Sequence, residues 1–263
     1  MIGAILGDVV GSRFEFNNIK SKKFNMFESK CTFTDDTVMT LSVAKALMKF
    51  EEITDIKNFK KELIAAMHEV GGKYPHCGYG GNFAVWIEEK LTEPYNSCGN
   101  GSAMRVSPVA WYAKNSLKEC EALAAASAEV THNHPEGIKG ATAVAGAIYI
   151  ARTTRSMAEI KEYIKRFYTI DFTLDKIRDS YGFYEICQKS VPQALQAFFE
   201  STDFEDAIRN AISIGGDSDT IAAITGSVAE AYYGIDEEMK KSALSFLDPY
   251  LLNIAKEFCD KYN

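Results

Sequence analysis

No two of the six cysteines in this 263-residue sequence form a Cys-x-x-Cys pair, so neither a thiolate zinc site nor a redox dithiol is on offer. Cys31, Cys77, Cys98, Cys120, Cys187 and Cys259 read as ordinary reduced thiols. Strand patterning, the strict alternation of apolar and polar residues, is almost missing. A long block of one charge is missing too. The 29 Lys+Arg and 36 Asp+Glu leave a net charge of -7 with no basic groove, which argues against an extended nucleic-acid-binding surface. A phosphate-bearing ligand stays compatible, because net charge governs long-range steering and not one pocket. The apolar opening from Met1 to Leu6 is interrupted by Asp8 and follows no basic leader. No signal peptide or membrane anchor is expected, and a soluble, cytoplasmic protein is. There is no repeat, low-complexity tract or Pro/Ser linker, so one domain over 1–263 is expected, with a monomer as the default. The nearest candidate for a break, Tyr168 to Ser180, is short enough to be a long helix connection.

What is present is helical spacing, segment after segment. Met39, Val43, Leu47 and Phe50 form one apolar stripe, and the chain as a whole reads as all-α. Ser116-Leu117-Lys118-Glu119, Ser156-Met157-Ala158-Glu159 and Thr202-Asp203-Phe204-Glu205 match capping boxes and predict three helix starts. Gly137 to Ala151, rich in small residues, predicts a central helix that others approach closely. Gly-rich irregular segments near 11–35, 71–82, 94–101, 131–136 and 214–218 each lead into a helical pattern. A chain of this length buries roughly three quarters of its unfolded surface and needs no structural metal, so any metal here serves chemistry.

Two acidic clusters stand out. Thr34-Asp35-Asp36-Thr37 and Asp217-Ser218-Asp219-Thr220 each precede a helical pattern, nearly two hundred positions apart. One such cluster is adequately explained as a helix cap. Capping needs one acceptor per helix, however, and each cluster brings two carboxylates and a hydroxyl, which repel unless cations or protons neutralise them. Hard oxygen donors of this kind suit magnesium, manganese or calcium and give zinc no preferred ligand. Counting from Asp217 puts Val228 at the twelfth position, where an EF-hand loop requires Glu, so that motif is excluded. Convergence of Asp35, Asp36, Asp217 and Asp219 would fit a pair of metals roughly 4 Å apart, with Asp219 as the bridge. None of His68, His76, His132 and His134 is followed by Asp, which removes the His-Asp dipeptide of a competing class of helical metal hydrolases.

Five segments together resemble the ADP-ribosylglycohydrolase family, the group that includes the enzyme that reactivates dinitrogenase reductase. They are Gly3 to Asp8 followed by Phe14-Glu15, then Phe33 to Thr37, Gly99 to Arg105, Thr131-His132, and Gly215 to Thr220. The resemblance implies a single-domain orthogonal bundle of many helices with a dinuclear magnesium or manganese centre at loops and helix N-termini. It implies hydrolysis of the bond between C1 of an ADP-ribose ribose and an acceptor atom. Carried over residue by residue, Thr34, Asp35 and Asp36 are expected as ligands of one ion and Asp217, Asp219 and Thr220 of the other. Asp35, Asp36 and Asp219 thereby count as catalytic, together with Glu15, a loop carboxylate able to ligate a metal or take a proton from water. Asp8, inside an apolar helical run, is expected to be structural.

The same resemblance places substrate on Gly80, Ser97, Asn100, Gly101, Ser102 and His132. The Tyr95 to Arg105 loop would offer amides and a helix dipole to a diphosphate. Gly78 to Gly81 would let backbone approach the terminal ribose, and Tyr79 or Tyr95 would stack on adenine. Arg105 is expected in a structural ion pair. Two departures from the family pattern are visible. Glu230 stands where many relatives carry a small residue, which puts local packing in doubt. Segment 71–82 holds no Asp or Glu, which mildly favours a leaving group other than arginine. The rival readings are an inactive ADP-ribose-binding or structural relative, and a metal-dependent hydrolase of another ribosylated or phosphorylated small molecule.

Overall fold

The computed structural model describes residues 1–262 and is all-α. Helices α1 (Ile2–Gly11), α2 (Asp35–Met48), α3 (Ile56–Gly71) and α4 (Gly81–Glu88) come first. Two short pieces, α5 (Gly101–Met104) and α6 (Ser107–Tyr112), lead to α7 (Leu117–Glu129) and the long α8 (Pro135–Thr154). Then follow α9 (Met157–Ile164), α10 (Leu174–Ile177), α11 (Cys187–Phe199) and α12 (Phe204–Ser213). The last three are α13 (Ser218–Tyr233), α14 (Glu237–Leu244) and α15 (Pro249–Tyr262). Among the described residues the one strand-like pairing is an isolated bridge between Gly99 and Ile186. Buried apolar side chains form one cluster that runs from Met1 to Tyr262.

The sequence predicts several of these boundaries. Ser116 and Ser156 cap α7 and α9, each accepting the amide three residues on, from Glu119 and Glu159. The third box is displaced by one residue: Asp203, not Thr202, caps α12 and accepts from the Asp206 amide at 2.8 Å. The Asp206 carboxylate takes the Thr202 amide in return, so a charged acceptor at each corner outcompetes the hydroxyl. Tyr168 to Ser180 contains the one-turn helix α10 and is a helix connection as expected.

The site is positioned by α1 against α13. Gly3, Gly7 and Gly11 recur every fourth residue and present one bare face. A Cβ on Gly7 would lie 2.1 Å from the Ala222 carbonyl oxygen, and one on Gly3 the same distance from that of Gly226. Gly11 meets Asp219 and Ser218, so the helices run antiparallel and the end of α1 reaches the start of α13. At the far end Glu230 is put to use: its carboxylate accepts the Gly3 amide at 2.9 Å and the Ile2 amide at 3.2 Å. The doubt about packing at Glu230 is thereby answered, since the acid caps free amides at the α1 N-terminus. α8 packs on α7, α13 and α5 as a central helix, but α13 lies deeper still, with every residue from Ser218 to Ala231 buried.

Candidate active site

Thr34 caps α2, its hydroxyl accepting the Asp36 amide at 3.3 Å and donating to Asp8 Oδ1 at 2.8 Å. Asp8 also accepts the amides of Thr34 and Thr37, at 2.9 and 3.1 Å. It therefore ties α1 to the start of α2, the structural role expected of it. Asp217 occupies the corresponding position ahead of α13 but makes no cap bond; its Oδ2 instead accepts from Asn100 Nδ2 at 2.7 Å. Capping leaves most carboxylate oxygens of the two clusters uncommitted. Asp36 Oδ1 is buried with no partner, while Asp36 Oδ2 takes the Thr220 hydroxyl at 3.0 Å, joining the two clusters.

Glu15 completes the group from the loop after α1. Ligand atoms of Glu15, Asp217 and Asp219 lie within 4.8 Å of one another. No Lys or Arg pairs with these acids among the described residues. Burial raises all of them and Asp8 besides, and neighbouring negative charges add to it at Glu15, Asp35, Asp36, Asp217 and Asp219. Asp217 is pushed up to about 7, Asp8 to about 6, and Asp35, Asp36 and Asp219 well above the usual carboxylate range. Glu15 is raised to about 8 by burial and then by Asp219.

The Glu15 loop is fastened by polar staples. Asn18 donates to the carbonyls of Phe14, Glu15 and Gly216 at 2.7 to 2.9 Å and accepts the Gly216 amide at 2.6 Å. Lys20 bonds the carbonyls of Tyr181 and Ile214. Gly215 and Gly216 adopt φ of +69° and +79°, and a Cβ on Gly216 would sit 2.6 Å from the Tyr181 ring. Only glycine fits this turn, which delivers Asp217 to the cluster.

The carboxylates head a cavity of about 250 Å³. Glu15, Asp35, Asp36, Asp217, Asp219 and Thr220 line it, as do Gly80, Ser97, Asn100, Gly101 and His132. Two expected residues differ. Thr34 is not in the lining, its hydroxyl donating to Asp8 and accepting the Asp36 amide with one lone pair left, and the Ser102 hydroxyl is fully buried and donates to the Gly137 carbonyl, away from the cavity. Asn100 has its amide nitrogen occupied by Asp217 and Ser190, so its side chain orients an acid. Tyr95 lines the cavity; Tyr79 does not, its hydroxyl donating to the Gly71 carbonyl while its ring packs on Phe83. The helix after Gly99 is a single turn, because Pro108 has no amide hydrogen with which to continue it across Met104. A helix dipole there is correspondingly small.

The family model ADP-ribosylglycohydrolase matches residues 1–261. The chain belongs to the ADP-ribosylglycohydrolase family. Human ADP-ribosylhydrolase ARH3 is 27% identical over 90% of this chain and 85% of its own. ADP-ribosylarginine hydrolase Tri1 of Pseudomonas putida (strain GB-1) is 26% identical over 99% of this chain and 77% of its own. A solved structure titled ADP-ribosylglycohydrolase-related protein complex superposes with a TM-score of 0.69 at 21% identity, covering 100% of this chain and 97% of that one, and shows the shared fold.

Two features of this ADP-ribosylglycohydrolase family member escape sequence reasoning. Glu185, at the cavity wall, supplies a carboxylate that segment 71–82 lacks. It arrives through the bridge at Gly99 and Ile186, with its carbonyl accepting the Asn100 amide at 2.8 Å, a pairing without any local signal. Arg105 is buried and has no carboxylate partner, contrary to the expected ion pair. It donates instead to the Ser127 carbonyl and the Thr131 hydroxyl. No helix is long and apolar enough to cross a membrane among the described residues.

Proposed function

We propose that this single-domain protein is a metal-dependent ADP-ribosyl hydrolase that cleaves the bond between C1 of ribose and its acceptor. One observation carries the reading: five acids from opposite ends of the chain converge, buried or half-buried and with no Lys or Arg paired to them among the described residues, at the head of a cavity walled by a small-residue loop. An orphaned Asp36 oxygen and the uniformly raised carboxylates fit a divalent-cation site. Thr34, Asp35 and Asp36 would hold one magnesium or manganese ion and Asp217, Asp219 and Thr220 another, supplying charge stabilisation at the ribose hydroxyls and an activated water.

The remaining chemistry belongs to the chain. Asp8 fixes the Thr34 to Thr37 turn that carries Asp35 and Asp36, Asn100 orients Asp217, and Thr220 couples the two clusters through Asp36. Glu15 has the raised proton affinity of a general base for the attacking water. Gly80, Ser97, Gly101 and His132 line the side on which ADP-ribose would lie, with Tyr95 as the aromatic surface for adenine. Asp35→Ala or Asp219→Ala is expected to abolish release of ADP-ribose while helical circular dichroism is retained. A fully active variant of either kind overturns the scheme. Mass spectrometry of products from ADP-ribosyl-arginine, ADP-ribosyl-serine, O-acetyl-ADP-ribose and ADP-ribosylated nucleobases identifies the acceptor. Glu185 argues that a cationic leaving group such as guanidinium belongs in that panel, despite the acid-free segment 71–82.

A further inference from the structure

At the cavity wall His132 ends a chain of three polar groups whose other two members, Thr131 and Arg105, the reaction scheme does not use. Arg105 Nη2 stands 2.8 Å from Thr131 Oγ1, and Thr131 Oγ1 stands 2.7 Å from His132 Nδ1. All three side chains are buried. A guanidinium only donates, so the threonine oxygen accepts from Arg105 and has a single hydrogen left to give. Its one remaining neighbour among the described residues is His132 Nδ1. The ring nitrogen on that side must then accept, which puts the proton on Nε2. In the opposite tautomer two donors would face one hydroxyl oxygen, and the hydroxyl hydrogen would point at nothing in a dry site. Burial and the Arg105 charge also hold His132 well below the usual histidine range, so the ring stays neutral.

Nε2 faces the loop that walls the cavity. A Cβ on Gly101 would lie 3.0 Å from it and one on Gly99 3.4 Å, and it has no hydrogen-bond partner within the described residues. The Arg105 guanidinium, itself at the cavity wall, has no carboxylate to neutralise it. A free donor and an unpaired cation at the same wall both favour a negatively charged oxygen. We propose that Arg105, acting through Thr131, locks His132 as its Nε2–H tautomer, so that the histidine already expected on the substrate side of the cavity is a fixed donor toward a phosphate oxygen. Arg105 and Thr131 are positioning residues, and the proposal rests on the hydrolase reading only for the identity of the phosphate-bearing ligand.

Two-bond proton–nitrogen spectra of histidine-labelled protein at neutral pH test the lock without any metal. His132 in the wild type and in Thr131→Ser is expected to show a bare Nδ1 and a protonated Nε2, whereas Thr131→Val shows a mixture. A wild-type ring protonated at Nδ1, or a Thr131→Val ring still wholly Nε2–H, overturns the relay. If Thr131→Val does not fold, the wild-type and Thr131→Ser spectra decide. In calorimetry Thr131→Val is expected to weaken ADP-ribose binding by about tenfold, leave adenosine binding unchanged, and be rescued by Thr131→Ser. An equal loss for adenosine, or no loss for ADP-ribose, overturns the phosphate role. A protein with the expected tautomer that binds no ADP-ribose sinks the hydrolase reading and the phosphate role but leaves the lock standing. The wrong tautomer with normal ADP-ribose binding sinks the lock alone.

Discussion

A carboxylate placed beside four others, out of water, answers to pH in the reverse of the usual acidic residue. Asp217 is raised to about 7 and half-buried Glu15 to about 8, burial being the larger cause in both. The folded state thus keeps protons that the unfolded chain sheds from about pH 4 upward. Stability from these groups is complete below the unfolded values and is lost as pH rises through the folded ones, so chelator-treated protein is expected to melt progressively lower from about pH 5 to about pH 8. Thermal melts in a chelator check this; a midpoint that climbs over the same range contradicts it. Asp217 was legible because two separated Asp-rich turns are more than caps require, whereas Glu15 was singled out only through the family resemblance. The duties of Asn100 and Thr131 were not, since each is defined by a partner that the fold brings in, Asp217 for one and Arg105 for the other. Ser102 misled for the same reason, its small side chain fitting a loop as well as the buried face that holds it.

Helices and their loops were read with more success than their contacts. Periodicity and capping serines locate elements because both signals are local. The glycine face of α1 is equally local, yet what it meets on α13 is visible only in three dimensions. That contact yields a sharp expectation. Gly7→Ala adds about 0.5–1 kcal/mol of helix preference. It also drives a methyl to 2.1 Å from a backbone oxygen that cannot swing aside. The clash dominates, and a net loss of about 1–3 kcal/mol in urea unfolding is expected. A neutral or stabilised variant would show that α1 and α13 are not in contact at this depth. The loop after α1 depends on Asn18, whose four bonds join the Glu15 backbone to the Gly216 turn. Asn18→Ala is expected to lower kcat about ten- to a hundredfold by loosening Glu15, with the melting temperature little changed because the residue is exposed. Unaltered turnover would separate Glu15 from the chemistry.

At the scale of the whole molecule, helices from the first and last parts of the chain meet at one acidic junction over a continuous apolar core. Nothing interrupts that core, so calorimetry is expected to show one cooperative transition, and two resolved transitions would contradict a single domain. The junction is held by glycine packing from outside, against acids inside it that repel one another once ionised. A divalent ion bound there would act on both halves at once, stabilising the native state alone because the unfolded chain cannot assemble the ligands. Magnesium or manganese at a hundredfold excess over its dissociation constant is expected to add about 2.7 kcal/mol, which for a chain of this length is roughly 5–10 °C in melting temperature. The shift should grow with the logarithm of metal concentration, flatten the pH dependence of the chelated protein, and vanish in Asp219→Ala. Sodium chloride at matched ionic strength should not reproduce it, because screening weakens exposed charges far more than buried ones. A shift that survives in Asp219→Ala would place the ion elsewhere on the acidic surface and detach the metal from the cavity.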